Sequence, residues 1–500
     1  MSSTTEIEQL LQIIHSGVPV IAIESSEEKR IKTLLKELAS GLNLPLQGWS
    51  VTEGLRRLDT DKAYTPAKES HDPDVALRII KESKRPTIIA LFDIQCFIEE
   101  SHITRRLLKD IAHLNGHGKN THTLFLVGHK IEIDADLRRF VARFELAMPT
   151  PDQLETLVRE EAMAWSRVNK GKRVTTDNKT LGRLVENLKG ISFGDARRLI
   201  KKVIWDDGAI TEAELPAVNK AKFELMDMDG VLSFEYDTAK FSEVGGLMAM
   251  KDWVIKREAA FFQHDQNIKL EPPKGMMLVG VQGGGKSLAA KAVAGLWGIP
   301  LLRLDFGSLY NKYHGESERN LRAALKMAEL MAPCVLWMDE VEKGVATNDN
   351  DGGTSRRMLG TLLTWMSEQQ KSVFVVATAN DISGLPPELI RKGRLDEIFF
   401  VDLPEKDIRA EIFAIHLNKR GLAADGFDLP RLAEATTGFS GAEIEQAVIA
   451  SMYHLNNEMP RLTEDAVMEE IEKTRPLSII MSEQLAQLRH WARDRTVSAG

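Results

Sequence analysis

A glycine-rich stretch in the middle of the sequence constrains the fold of this chain more than any other feature. It reads "GVQGGGKS", residues 280–287, and four of the residues before Lys286 and Ser287 are glycines. Residues 276–279 before it are apolar, as in a buried parallel strand, and apolar residues at helical spacing follow it. A strand, a glycine loop and a helix in this order predict a phosphate-binding loop.

Each part of this loop has a physical role in holding a polyphosphate. Glycines let backbone N–H groups turn inward around an anion, and the helix N-terminus adds partial positive charge. Lys286 would reach the β- and γ-phosphates, and Ser287 would offer its hydroxyl to Mg²⁺. The residues of this stretch that are predicted to surround the nucleotide are Gly280, Gln282, Gly283, Gly284, Gly285, Lys286, Ser287 and Leu288.

Two further apolar runs end in polar side chains. Residues 335–338 are followed by Asp339 and Glu340, and residues 373–378 are soon followed by Asn380. Ligands bind at the carboxyl ends of parallel strands, where these side chains would lie. We expect Asp339 to hold Mg²⁺, Glu340 to orient and deprotonate an attacking water, and Asn380 to position the same water. A solvated acidic turn is the alternative for the acidic pair.

Composition limits the remaining function classes. The 500 residues are 43% apolar and 28% charged, which predicts several domains with ordinary cores. The net charge of -8 shows no basic excess, so a nucleic-acid partner stays open but is not favoured. We expect Cys96 and Cys334 to be buried thiols in a reducing compartment. No apolar run approaches ~18 residues, so we expect a cytoplasmic protein without a membrane partner.

Several segments, in a fixed order, resemble the AAA ATPases of the AAA+ superfamily. They read "FSEVGGLMAMKDWV", "DFGSLYNKYHGESERNLR", "LPPELIRKGRLDEIFFVDLPE" and "TTGFSGAEIEQAV". The resemblance covers roughly residues 240–480 and is greatest for a branch first described as a hypothetical reading frame of algal chloroplasts, with bacterial relatives. It implies a parallel sheet with a helical lid that binds ATP and Mg²⁺ and hydrolyses ATP.

The resemblance also assigns residues outside the glycine loop. Val244 and Gly245 would border the adenine, and Gly441 and Ala442 of the lid would pack near the nucleotide. Arg394 stands at the arginine-finger position, where a guanidinium is supplied to the neighbouring subunit's site. Hydrolysis would then require a homo-oligomer, which in this family is usually a hexameric ring.

The substrate prediction depends on the pore segment of the family. Lys312, Tyr313 and His314 fall there, and a flat ring at Tyr313 could grip a polypeptide that the ring threads or remodels. Aromatic and basic groups could also stack on and neutralise a nucleic-acid strand. A nucleotide-switched scaffold that recruits a partner is the third alternative.

Three positions depart from the family pattern. The loop has three consecutive glycines and no Pro-Pro, where the family usually has Pro-Pro and Gly-Thr-Gly, which predicts a more flexible loop. Glu397 stands where many members carry a second arginine, so Arg394 is the one obvious finger. Tyr313 and His314 replace the more common Trp or Phe and aliphatic residue.

The first half of the chain resembles the second in its pattern but not in its chemistry. Residues 18–23 form an apolar run, and glutamates and serines follow where a phosphate loop would fall. We predict a degenerate AAA-like α/β domain that lacks the phosphate loop; a generic α/β domain is the alternative. The predicted boundaries are 1–145 for this domain, 146–215 for a helical lid-like subdomain, 216–240 for a linker, 241–403 for the AAA large subdomain, and 404–500 for the lid and C-terminal helix.

Overall fold

A computed structural model of the chain separates into two compact units, Met1–Pro149 and Thr150–Gly500. Its described residues are 2–60, 69–115, 122–133, 136–225, 231–236, 238–262, 271–309, 316–345, 354–382, 384–391, 393–454 and 462–500.

The first unit is an α/β sandwich around a six-stranded sheet. The strands are β1 Val20–Glu24, β2 Leu46–Ser50, β3 Gly54–Arg57, β4 Ile88–Phe92, β5 Thr123–Gly128 and β6 Val141–Phe144. Their order is β3-β2-β4-β5-β1-β6, and β3 runs antiparallel to β2 while the other pairings are parallel. The helices are α1 Ser2–His15, α2 Glu28–Leu42, α3 Pro73–Glu82, α4 Gln95–Glu100 and α5 His102–Asn115. Apolar clusters cover both faces of the sheet, which explains why β4 and β5 are buried along their whole length.

The second unit begins with a helical subdomain. Its helices are α6 Pro151–Val168, α7 Asn178–Leu188, α8 Phe193–Asp207 and α9 Leu215–Leu225. The sequence marks their starts, because Thr150 forms a capping box with Gln153, and Asp177 and Ser192 cap α7 and α8. The four helices share one apolar cluster.

A seven-stranded sheet follows in the second unit. The strands are β7 Leu232–Glu235, β8 Gly275–Gly280, β9 Leu301–Leu304, β10 Cys334–Met338, β11 Val373–Ala379, β12 Glu397–Val401 and β13 Val497–Ser498. Their order is β13-β12-β8-β11-β10-β9-β7, with β7 antiparallel to β9 and parallel pairing elsewhere. The helices around this sheet are α10 Met248–Phe261, α11 Lys286–Trp297, α12 Phe306–Leu309, α13 Glu316–Leu330, α14 Val341–Val345 and α15 Thr354–Glu368.

A helical lid connects β12 to the last segment of the chain. It consists of α16 Lys406–Lys419, α17 Leu429–Ala435, α18 Gly441–Met452 and α19 Glu464–Lys473, which share an apolar cluster of their own. The chain then passes through α20 Leu477–Ile480 and α21 Ser482–Ala492 and returns to the sheet as β13. The predicted α/β fold with a parallel sheet and a lid is confirmed.

The two sheets repeat one strand order. Strands β6-β1-β5-β4-β2 of the first unit correspond, in chain order and in neighbours, to β12-β8-β11-β10-β9 of the second. The connection after the central strand differs, since residues 25–27 join β1 to α2 whereas residues 281–285 join β8 to α11. The first connection contains no glycine and is followed by Glu28, whereas the second contains three glycines and is followed by Lys286.

Two expectations about burial and membranes can be compared with the structure. The thiol of Cys334 is buried, but the expectation for Cys96 is wrong, because it lies on the exposed side of the short helix α4. None of the helices described is long and apolar enough to cross a membrane.

Lys222 is a cation enclosed within the second unit. Its side chain lies on α9, is 1% exposed, and donates a 2.5 Å hydrogen bond to the carbonyl oxygen of Lys189 at the end of α7. Burial lowers the pKa of Lys222 from 10.5 to about 8, although attraction from the Glu186 carboxylate opposes the shift. The folded state therefore carries the cost of an enclosed charge near neutral pH.

We expect Lys222→Met to stabilise the second unit at pH 7 and to lose this advantage at high pH. Below a pH of about 8 the ammonium is charged in both states, so the full penalty is present; between 8 and 10.5 the folded state releases its proton first and the parent recovers stability. The penalty is on the order of 3 kcal/mol, and the lost hydrogen bond offsets about 1 kcal/mol of the gain. Urea unfolding at both ends of this pH range measures the effect.

The matched control is Lys179→Met on α7, where the replaced side chain is exposed. It should change the unfolding free energy little and equally at both pH values. A stability difference between Lys222→Met and the parent that does not shrink with rising pH would contradict the assignment.

Candidate functional site

The glycine loop connects β8 to α11 in a conformation that only some residues can adopt. Gly283 and Gly285 have φ angles of 75° and 91°, in the left-handed region that favours glycine. A Cβ on Gly280 would lie 2.0 Å from the carbonyl oxygen of Val401 on β12, so this strand end also requires glycine. Gly284 occupies the place of the usual threonine, and a Cβ there would lie 3.1 Å from both the Val281 oxygen and a Val401 methyl group. Val281 and Val401 thus leave little room for a side chain at position 284.

Lys286 is the first residue of α11 and points back into the loop. It is 6% exposed, and its Nζ donates to the carbonyl oxygens of Gly280 at 2.8 Å and Val281 at 2.7 Å. Burial lowers the pKa of Lys286 to about 8, and attraction from Glu342 and Asp339 opposes the shift. An anion bound in the loop would favour the charged ammonium.

Asp339 follows β10 and is held from both sides. Its Oδ1 accepts a 2.7 Å hydrogen bond from the hydroxyl of Thr378 on β11, and its Oδ2 accepts a 3.1 Å hydrogen bond from the guanidinium of Arg303 on β9. Arg303 also lies over the ring of Trp337, at 4.9 Å from its centroid. The three neighbouring strands together fix this carboxylate.

Glu340 has a left-handed backbone with a φ of 48°, an unusual value for a glutamate. Its N–H donates to the Thr378 hydroxyl oxygen at 3.1 Å, which holds the turn. Its Oε1 accepts from the side-chain amide of Asn380 at 2.9 Å, and its Oε2 accepts from Lys343 Nζ at 2.5 Å. The structure therefore brings the predicted pair Glu340 and Asn380 into direct contact.

Glu342 belongs to the same cluster and is not among the site residues predicted above. It is 7% exposed; one carboxylate oxygen accepts from the backbone N–H of Asn380 at 2.9 Å, and the other has no hydrogen-bond partner among the residues described. Burial raises the pKa of this carboxyl group. The second glutamate in "DEVE" was the signal for it, just as the isolated polar residues in two apolar strands were the signals for Thr378 and Arg303.

Lys286, Asp339, Glu340 and Asn380 line one cavity of about 980 Å³, whereas Glu342, Thr378 and Arg303 support these residues from outside its lining. Its volume is in the range that holds a nucleotide-sized ligand. The predicted site residues that line it are Val244, Gly245, Gln282, Gly283, Gly284, Gly285, Lys286, Ser287, Leu288, Asp339, Glu340, Asn380, Gly441 and Ala442. Gly280 does not line the cavity, because it lies behind the loop at the end of β8.

The lid contacts both the loop and the segment before α10. The N–H of Ala442 donates to the Gly283 oxygen at 3.1 Å, and a Cβ on Gly283 would lie 2.9 Å from the Ser440 hydroxyl oxygen. The N–H of Gly246 donates to the Glu411 carboxylate at 3.0 Å. The lid thus forms part of the cavity wall.

Two groups of predicted residues are not placed at this cavity. Arg394 is partly exposed, donates a hydrogen bond to the carbonyl oxygen of Glu388, and does not line the cavity of its own chain. Lys312, Tyr313 and His314 lie outside the residues that the structure describes.

The side chains and the bare backbone that line the cavity suit the binding of ATP and Mg²⁺. The left-handed glycines leave the loop free of side chains, and Lys286 supplies the cation for phosphate. Ser287 and Asp339 offer oxygen ligands, which suit Mg²⁺ when phosphates and water complete its shell. In the described parts of the chain, no group of three or more His, Cys, Asp or Glu residues could hold a metal without such help.

Family models match most of the chain. Residues 276–403 match the ATPase family associated with various cellular activities (AAA). Residues 6–146 match the N-terminal domain of SpoVK-like AAA ATPases, and residues 152–229 match their second domain.

Curated relatives match over the same regions. The "Uncharacterized AAA domain-containing protein ycf46" of Trieres chinensis is 33% identical over 491 residues, which cover 97% of this chain and 96% of the relative. The protein of the same name from Pyropia yezoensis is 34% identical over 501 residues, covering 99% and 98%. The proteasome-activating nucleotidase of Aeropyrum pernix is 35% identical over 218 residues, 42% of this chain and 53% of the relative. Because the first two similarities extend over nearly the full length, this chain belongs to the AAA ATPase family and is an ATPase.

Proposed function

We propose that this chain hydrolyses ATP in a Mg²⁺-dependent reaction at the cavity between the glycine loop and the ends of β10 and β11. The observation that carries the proposal is the meeting of Lys286, Asp339, Glu340 and Asn380 at one cavity. Lys286 would neutralise the β- and γ-phosphates, and Ser287 and Asp339 would hold the metal. Mg²⁺ would supply positive charge that stabilises the phosphoryl oxygens.

Glu340 is the residue to which we assign activation of the attacking water. A carboxylate can accept about four hydrogen bonds, so the contacts with Asn380 and Lys343 leave capacity for a water molecule. Asn380 fixes the orientation of Glu340 through its side-chain amide, and Thr378 fixes the backbone of the same residue. Glu340 would then accept a proton from the water as it attacks the γ-phosphate.

Arg394 is assigned to the site of a neighbouring subunit. The guanidinium does not line its own cavity, which supports a contribution in trans. A guanidinium beside the transferring phosphoryl group stabilises the negative charge that develops there and raises the hydrolysis rate by orders of magnitude. We therefore propose a homo-oligomeric ring, with six subunits as the expected number.

The proposed substrate is a protein that the ring remodels or threads. The name of the relative from Aeropyrum pernix links an AAA protein with the proteasome, and the net charge of -8 does not favour a polyanionic strand as substrate. Tyr313, with Lys312 and His314, is the proposed point of contact.

Glu340→Gln is expected to lower kcat by about 100-fold or more, because an amide cannot accept the proton of the attacking water. Binding of MgADP should stay close to that of the parent, since Lys286 and the loop are untouched. Steady-state phosphate release and calorimetric titration measure the two quantities. Glu368→Gln, an exposed change of the same type at the end of α15, is the control. Turnover by Glu340→Gln at the parent rate would show that another group is the base.

Mixtures of Arg394→Ala and Lys286→Ala subunits are expected to regain part of the lost turnover. Each variant alone should be nearly inactive, since one lacks the finger and the other lacks the phosphate ligand. In a mixed ring, an intact Lys286 can face a neighbour's intact Arg394. Phosphate release across mixing ratios, with light scattering to follow assembly, measures the effect. If no mixing ratio releases phosphate faster than the two variants do separately, Arg394 does not act in trans.

Turnover is expected to rise when an unfolded protein is added and to stay constant with single-stranded DNA or RNA. A ring that works on polypeptide couples its cycle to engagement of the polymer. Tyr313→Ala should remove the stimulation while basal hydrolysis in the absence of polymer is measured in parallel. Stimulation by nucleic acid alone would favour the nucleic-acid-associated ATPase, and a response to neither would favour the nucleotide-switched scaffold.

A further inference from the structure

The last segment of the chain is fixed to the sheet of the second unit. Leu485 and Leu488 on α21 are buried in the apolar cluster that includes β10 residues. Arg489 on the same helix donates to both carboxylate oxygens of Asp402, with three contacts between 2.9 and 3.1 Å. A forked guanidinium–carboxylate pair fixes orientation as well as distance. It therefore attaches α21 to Asp402, the residue that follows β12.

Strand β13 then joins two elements that border the nucleotide cavity. The N–H of Ala499 donates to the Phe400 oxygen at 3.0 Å, which extends the pairing with β12. The Ala499 oxygen accepts from the N–H of Met250 at 3.2 Å, in the first turn of α10. The side chain of Ala499 is fully buried in a cluster with Met250 and Phe399. Residue 499 is therefore packed as a core residue and hydrogen-bonded on both sides.

The end of this segment reaches the backbone that leads into α10. A Cβ on Gly500 would lie 3.4 Å from the nitrogen of Leu247. Leu247 has a left-handed backbone with a φ of 56°, a strained value that its surroundings must hold. Residues 498–500 line the same cavity as Lys286 and Asp339.

The cavity has a charged part and an apolar part. Lys286 and Asp339 occupy the charged part, together with the glycine loop. The apolar part contains Leu247, Ile408 and Ile412, although Glu405, His416 and Glu445 of the lid also line the cavity. A Cβ on Gly245 would lie 2.6 Å from Ile412, and one on Gly246 would lie 2.9 Å from Ile408, so both glycines pack closely on these side chains. A nucleotide has an anionic end and a flat, largely apolar base, so the base fits the part that contains Leu247.

We infer that residues 498–500 form one wall of the base-binding part of the cavity and position the segment 244–247 against the base. The inference relies on nucleotide binding in this cavity and extends it to residues far along the chain from the glycine loop. Because binding and docking are linked, a docked segment should raise nucleotide affinity, and bound nucleotide should stabilise docking by the same factor.

Two alternate residues of the segment provide a matched pair for the test. Ala499 is fully buried, whereas the Val497 side chain is 44% exposed and is not among the residues that line the cavity. Glutamine at either position introduces the same neutral amide and keeps the backbone N–H and C=O groups that can pair. Ala499→Gln should undock the segment because its amide cannot be buried without a partner, and Val497→Gln should leave it in place.

Calorimetric titration of the full-length chain with MgADP is the first measurement. We expect Ala499→Gln to weaken binding by about fivefold or more, and Val497→Gln to bind like the parent. In turnover, Ala499→Gln should raise the KM for ATP more than it lowers kcat. Inorganic tripolyphosphate has no base, so its inhibition constant against MgATP should be the same for both variants and the parent.

Each contrary result has a separate meaning. Equal MgADP affinity for Ala499→Gln and the parent, or an equal loss of tripolyphosphate binding, would overturn the role at the base. A parent protein that binds no nucleotide would instead overturn the proposed function. If Ala499→Gln does not fold, amide hydrogen exchange of the parent decides the question: MgADP should slow exchange at Ala499 and Met250, and unchanged exchange would overturn the inference.

Discussion

The hydroxyl of Thr378 is the contact on which the geometry of the site depends. It donates to the carboxylate of Asp339 and accepts from the N–H of Glu340, so a single oxygen ties the end of β10 to β11. This oxygen also holds the left-handed backbone of Glu340, which directs the side chain towards Asn380. A strained backbone persists only where neighbouring contacts determine it. The proposed base is thus oriented by the sheet and not by the glycine loop beside it.

Around this rigid edge, the loop and the lid form a wall that can respond to ligand. Lys286 donates to carbonyl oxygens of its own loop, which are weaker partners than phosphate. The lid contacts the loop at Gly283, where any side chain would collide with Ser440. A change in the loop on binding phosphate would therefore reach the lid directly. Gly283 is therefore a point of direct contact between the glycine loop and the lid.

The sequence predicted the elements of the site better than their connections. The glycine loop, the acidic strand end and Asn380 were recognisable because each follows a buried apolar run, which identifies both the strand and its carboxyl end. Arg303, Thr378 and Glu342 were missed because their roles arise from contacts between the ends of neighbouring strands, and strand order is not written in local periodicity. Ala499 was missed for the same reason, since a short strand of two residues carries no pattern. The expectation for Cys96 was wrong because α4 has six residues and buries one side only.

The repeated strand order shows why fold and chemistry can separate in this chain. Topology depends on buried apolar strands, and both sheets retain these in the order β6-β1-β5-β4-β2 and β12-β8-β11-β10-β9. Phosphate binding depends on the connection after the central strand, where three residues without glycine replace five residues with three glycines. In the first unit Glu24 instead accepts hydrogen bonds from Ile131 N–H and from Arg143, so this strand end carries structural contacts. A sheet can lose its ligand loop without losing its core, because the loop adds little buried apolar area.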